Sequence, residues 1–158
     1  MHKINGEYRD GNCSVWLEGG EPYLILNLES YYRFKSPGGR HCDFVYVLCR
    51  GDRIEIFIVE LKELNEAAKD NIRESIQGKF SQTFEVVKKQ ILPFLGIKNI
   101  NAKYHAVLAL PGDTIWKIGA LTKRDKLLKP LLGEFKKFQG AWITACGENL
   151  RTPLIKLK

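Results

Sequence analysis

Along residues 42–62 (CDFVYVLCRGDRIEIFIVELK) two apolar runs flank a polar RGDR break, and beyond Lys62 the apolar period lengthens from two residues to three or four. The first pattern predicts a β-hairpin and the second a helix. Ile72, Ile76, Phe80, Phe84, Val87 and Ile91 form the helical stripe. Asn65 is placed to cap it, Gly78 interrupts its middle, and Pro93 with Gly96 ends it. Before the hairpin, residues 14–28 (SVWLEGGEPYLILNL) are apolar around a GGEP break and fit either two short strands or a strand and a helix. Tyr31–Lys35 reads as a strand closed by the SPGG turn at Ser36–Gly39. Farther on, AKYHAVLAL before Pro111 reads as a buried strand, and Thr122–Phe138 as a helix bent at Pro130 and Gly133. Ala141–Ala145 and the alternating LIKLK at the end read as two more strands, the latter at a sheet edge. Helices and strands mix around a central hairpin, so the expectation is one α/β or α+β domain over residues 1–158.

The hairpin can be solved as geometry. With Gly51-Asp52 as a two-residue turn, opposed residues have numbers that sum to 103. Cys49, Val47, Val45 and Asp43 then face Ile54, Ile56, Ile58 and Glu60 on one side of the sheet. On the other side Leu48, Tyr46, Phe44 and Cys42 face Glu55, Phe57, Val59 and Leu61. One side is thus an apolar floor that ends in two carboxylates, with opposed Cβ atoms roughly 4.5–5.5 Å apart. Lys62 follows on the same side, about 7 Å along the strand from Glu60.

Taken alone, Glu60 and Lys62 read as a strand end emerging into solvent. Asp43 in matching register favours a site. Like charges this close repel, and burial strengthens the repulsion. A divalent cation held by oxygen ligands relieves both, which suits Mg²⁺ or Mn²⁺ rather than zinc. Lys62 beside such an ion could orient a water or stabilise charge developing on a phosphate. Cys42, on the other side, is expected to take no part.

Charge adds a partner to this picture. The chain of 158 residues carries +7, and residues 117–158 supply all of it, with 10 Lys and Arg against 3 Asp and Glu. A basic block beside a neutral body suits a polyanion, nucleic acid first, though a solvated basic face has the same composition. Of Lys123, Arg124, Lys126, Lys129, Lys136 and Lys137 in that block, some are expected to contact phosphate. Arg40 beside Gly38–Gly39 could also approach a phosphate. His41 reads as a surface residue near a turn and His105 as a core residue with its hydrogen bond satisfied. Trp16, Trp116 and Trp142 read as core.

The four cysteines show no metal-binding spacing. Cys42 and Cys49, on the order of 23 Å apart along one strand, cannot pair. Small buried thiols in a reducing compartment are the expectation. No apolar run is long enough to span a membrane or opens the chain as a leader would, so a cytoplasmic protein without membrane association is expected.

Asp43, then a hydrophobic return strand ending in Glu60-Leu61-Lys62, resembles the PD-(D/E)XK nuclease superfamily, with Cys42 where the family usually has Pro. The resemblance covers about residues 29–110 and implies a restriction-endonuclease-like αβββαβ core. It also implies Mg²⁺-dependent phosphodiester hydrolysis. Asp43 and Glu60 would bind the metal, joined by the Leu61 carbonyl, and Lys62 would position the nucleophilic water. A Glu from an N-terminal helix often joins such sites. Glu29 is the first choice, with Glu7, Glu18 and Glu21 as alternatives. A Gln on the following helix would be Gln82 or Gln77, with Lys79 one turn before Gln82 as a nucleic-acid contact. The expectation is therefore a DNA endonuclease, with a binding module that keeps the fold but not the chemistry as the alternative. A symmetric DNA substrate would suit a homodimer.

Overall fold

A computed structural model describes residues 6–10, 13–17, 23–28, 41–50, 52–62, 76–97, 102–112, 133–150 and 153–157. Among them the chain is α+β, with a six-stranded mixed sheet and a helix packed on it. Among the described residues, strands β1 (Gly6–Asp10) and β2 (Cys13–Leu17) pair only with each other. The large sheet follows chain order through β3 (Tyr23–Asn27), β4 (Phe44–Arg50), β5 (Arg53–Leu61), β6 (Ala102–Leu110), β7 (Gly140–Ala145) and β8 (Ile155–Lys156). The pairs β3–β4, β4–β5 and β7–β8 are antiparallel, while β5–β6 and β6–β7 are parallel.

The ambiguous segment 14–28 resolves into strands β2 and β3, and β1 is a strand that the apolar pattern does not signal. The hairpin register is the expected one: Arg50 faces Arg53 across Gly51-Asp52, and pairing runs from there to Phe44 and Val59. The strand over AKYHAVLAL and the edge strand near the C-terminus are also present. Tyr31–Lys35, Asn65, Ile72 and most of Thr122–Phe138 lie outside the described residues. The end of that last stretch, residues 134–137, is turn rather than helix.

Helix α1 (Lys79–Val86) follows Gly78, whose φ of 77° lies in the left-handed region that glycine tolerates best. The Glu134 carboxylate accepts hydrogen bonds from the N–H groups of Gly78 and Ser81, satisfying donors that a helix start leaves unpaired. The helix widens into a π turn (Val87–Ile91) before α2 (Leu92–Phe94). Val87 and the consecutive pair Ile91 and Leu92 are all buried along this stretch.

Alternation sends the strand residues to two cores. Val45, Val47, Ile56, Ile58, Ala106, Leu108 and Ile143 face α1, where Phe80, Phe84, Phe135 and Phe138 meet them. Phe80 touches Phe135 edge-on at 5.1 Å, and Phe84 touches Phe138 at 5.3 Å. Each buried ring stabilises by about 1.5–3 kcal/mol. The second face gathers Phe44, Tyr46, Leu48, Phe57, Val59, Val107 and Ala109 around Cys13 and Leu150.

On that second face the cysteine expectation fails. Cys13 and Cys146 form a disulfide across 133 positions of sequence. Sequence spacing could not show it, because only the packing of β2 against β6 brings the two together. Of the two free thiols, Cys42 is buried and Cys49 exposed. His105 sits between Phe57 and Trp142, with Nε2 3.7 Å from Glu55. Gly140 makes room there, since a Cβ would come within 3.0 Å of His105 Nδ1.

Candidate active site

Period-two alternation carries Glu60 to the helix-facing side of β5, after Ile56 and Ile58. It is 1% exposed. Lys62 is also buried, and its backbone N–H donates to Ala109 O at 3.0 Å, fixing the chain just past the strand. The Lys62 ammonium lies 3.6 Å from Glu60 Oε2.

Asp43 reaches the same place by a different route. The ladder stops at Phe44 and Val59, and Asp43 turns its N–H back to the Val59 carbonyl at 3.1 Å. Asp43 and Phe44 thus both stand against Val59 of β5, the arrangement of a β-bulge. The expected one-to-one opposition of Asp43 and Glu60 is replaced by this irregularity. The Asp43 side chain takes over the missing backbone partner: its Oδ2 accepts from Leu61 N–H at 2.6 Å. It also shares a hydrogen bond with Glu60.

The bulge reverses the expectation for Cys42. Strict alternation would leave it with Phe44, yet it packs in the helix-side core with Val45 and Val47. Its N–H donates to Thr83 Oγ1 at 2.9 Å, tying the start of β4 to the helix. Burial and the nearby Glu60 charge push the Cys42 thiol well above its usual pKa, so it stays protonated. A neutral thiol is a poor ligand for a hard cation.

Helix α1 contributes two residues one turn apart. Thr83 is buried against Cys42, and Lys79 places its ammonium 2.6 Å from Glu60 Oε2. Sequence reasoning missed Thr83 and placed Lys79 on the nucleic-acid side. Their four-residue spacing on one helix face was the available signal. Gln82 and Gln77 are exposed. Gln82 lies over Gly78, where an added Cβ would come within 3.1 Å of its amide nitrogen. The described contacts do not bring it to the carboxylates.

Burial pushes the Asp43 carboxyl up to about 8, and its hydrogen bond to Glu60 and the Glu60 charge push the same way. Two carboxylates in contact cannot both ionise freely. For Lys79, burial alone would lower the pKa, but the Glu60 carboxylate outweighs it and the net shift is upward. The raised pKa favours a protonated Asp43, beside a Glu60 that two ammonium groups address.

No family model, curated protein or solved structure matches this chain. The site must be read from its own chemistry. Among the described residues no three His, Cys, Asp or Glu side chains gather into a metal-binding group. Asp43, Glu60 and the Leu61 carbonyl are the oxygen donors this strand end offers. Charge balance supports a fit to a divalent cation: a proton and the Lys79 ammonium now neutralise carboxylates that such an ion could neutralise instead.

Glu29, Arg40, Lys123, Arg124, Lys126 and Lys129 lie outside the described residues, as do Glu18 and Glu21. Lys137 is exposed and pairs with Glu85 while lying over the Phe84 ring at 5.7 Å. Its charge is directed in part at helix α1. No helix among the described residues is long and apolar enough to cross a membrane.

Proposed function

We propose that this chain is a metal-dependent nuclease of the PD-(D/E)XK type, hydrolysing phosphodiester bonds in nucleic acid, DNA foremost. The observation that carries the reading is the meeting of Asp43 and Glu60 at the buried end of the β4–β5 hairpin, with Lys62 beside them. The order β3-β4-β5-α1-β6 supports a restriction-endonuclease-like core.

Asp43 and Glu60 would hold Mg²⁺ or Mn²⁺, with the Leu61 carbonyl as a third donor. The hydrogen bond from Leu61 N–H to Asp43 fixes the peptide that leads into it. A bound divalent ion supplies positive charge for the phosphate and acidifies a coordinated water. Lys62, held at its backbone by β6, orients the attacking water or meets charge developing on the phosphate. Thr83 and the bulge keep Asp43 in place. Replacing the site proton with a divalent ion leaves two carboxylates against two ammonium groups and the ion, a net positive site suited to an anionic diester.

A second reading has one observation in its favour. Glu60 already meets two ammonium groups at 2.6 and 3.6 Å, so the site is electrically satisfied without an ion. A nucleic-acid-binding module that keeps the fold without catalysis would look the same.

Purified protein incubated with plasmid, duplex, single-stranded and RNA substrates separates the two. The nuclease cleaves at least one of them with Mg²⁺ or Mn²⁺, and EDTA stops it. Asp43→Asn and Lys62→Ala lower the rate roughly a hundredfold or more while DNA affinity persists. Salt-dependent binding with no cleavage of any substrate would favour the binding module instead.

A further inference from the structure

The geometry points to Lys79 as an internal competitor for the cation site: its ammonium occupies the place at Glu60 Oε2 that a divalent ion would take. This inference rests on the metal-site reading above. It assigns to one helix residue the control of how tightly that site binds metal.

Three observations carry it. First, the ammonium of Lys79 approaches Glu60 Oε2 more closely than that of Lys62, 2.6 Å against 3.6 Å, and both address the same oxygen. Lys79 is therefore the principal counter-charge. Second, exposure orders the groups from outside to inside. The Lys79 side chain is 22% exposed, Lys62 7% and Glu60 1%. A cation arriving from solvent meets Lys79 before it meets the carboxylate. Third, the attachments differ. Lys62 sits on a strand end pinned to β6, whereas Lys79 is the first residue of α1, directly after Gly78. Four methylenes on a helix terminus let the ammonium swing outward without moving the backbone.

An ammonium and a divalent ion cannot share one carboxylate oxygen at contact distance, since like charges repel strongly in a poorly solvated site. Occupation by metal thus requires Lys79 to leave Glu60. Once displaced, its charge stays at the mouth of the site, where an anionic substrate would enter. The lysine stabilises the acid pair while metal is absent and weakens metal binding by the same interaction.

The test is metal affinity, measured by titration calorimetry with Mn²⁺ and Mg²⁺ on the intact chain, without substrate. Lys79→Met removes the competitor and keeps the apolar stem. It should bind metal about tenfold or more tightly than the parent. Lys79→Arg keeps the charge and adds a planar fork that grips a carboxylate in two places. It should bind metal more weakly than the parent. A merely structural lysine would not shift affinity in opposite directions in the two variants.

Unchanged affinity in both variants, with the parent binding metal normally, overturns the competitor role and leaves the nuclease reading intact. Weaker binding in Lys79→Met overturns it as well. If neither the parent nor either variant binds metal, the competitor role and the metal-site reading fail together. A parent that binds no metal beside a Lys79→Met variant that does would support the role in its strongest form. Circular dichroism on each variant confirms that α1 is retained in the comparison.

Discussion

Glu55 and Glu60 lie on the same strand, on opposite faces and toward opposite ends. Near the turn, Glu55 meets His105 at 3.7 Å with both side chains partly exposed, 21% and 16%, and the ladder around it is regular. At the far end Glu60 is sealed against two lysines and a second acid, and the ladder is broken by a bulge. The turn end is a strand meeting water. The other end keeps buried charge that the fold could have avoided, and an irregular backbone to arrange it. Buried ion pairs are weak evidence for stability, because desolvation offsets much of the attraction. Their presence here is better explained by a task for the charges.

The far end is also the fastened one. Cys146 Sγ lies 4.0 Å from Lys62 O and Cys13 Sγ 3.9 Å from Ala109 O, so the disulfide clasps the sheet directly behind the acids. Opening it releases a loop of 133 positions, and chain entropy alone gives about 5 kcal/mol of lost stability. Urea unfolding of Cys13→Ala/Cys146→Ala should show a loss of that order. Cys49→Ala, near the turn, should stay within about 0.5 kcal/mol of the parent. Equal midpoints for the two variants would remove the asymmetry.

A smaller effect separates the two glutamates themselves. Glu60→Ala leaves two ammonium groups facing each other in a dry site and should cost about 3 kcal/mol. Glu55→Ala should cost under about 1 kcal/mol, as for other partly solvated pairs. Denaturation midpoints of the two proteins, measured without divalent metal, test the ranking. A larger loss from Glu55→Ala would sink the account of the site.

Smaller than these per pH unit is a slope of stability with pH. The Asp43 carboxyl titrates near 8 in the folded chain against 3.8 when exposed. Between those values the folded state holds a proton that the unfolded state has released. Its contribution to stability is complete below about pH 3.8 and is lost as pH rises through about 8. The slope is at most about 1.4 kcal/mol per pH unit. Asp43→Asn should flatten the profile. Metal displaces that proton, so affinity for Mg²⁺ or Mn²⁺ should climb with pH up to about 8 and then level. An affinity independent of pH across this window would mean that Asp43 is not a ligand.

Much of the hairpin is legible in the order of its residues. Gly51-Asp52 marks the turn, and the alternation around it sets which residues face the helix and which face the second core. These features depend on periods of two residues and on turn chemistry, which the sequence carries locally. The buried stripe of Ile76, Phe80, Phe84, Val87 and Ile91 is legible for the same reason. The departures begin where the period stops. The irregularity at Asp43 moves Cys42 to the site's face, and no local pattern announces a bulge.

By itself, then, the sequence determined a mixed helix-and-strand domain, the hairpin register, and the placing of Glu60 and Lys62 on one side of one strand. Only the tertiary structure decided that Asp43, expected directly opposite Glu60, reaches it through a bulge instead, that Lys79 rather than Gln82 reaches the acids, and that Cys13 finds Cys146. The physical reason is separation along the chain. Register follows from neighbours two residues apart, whereas these contacts depend on how a helix and two sheets pack, and packing is settled by shape and burial over the whole core.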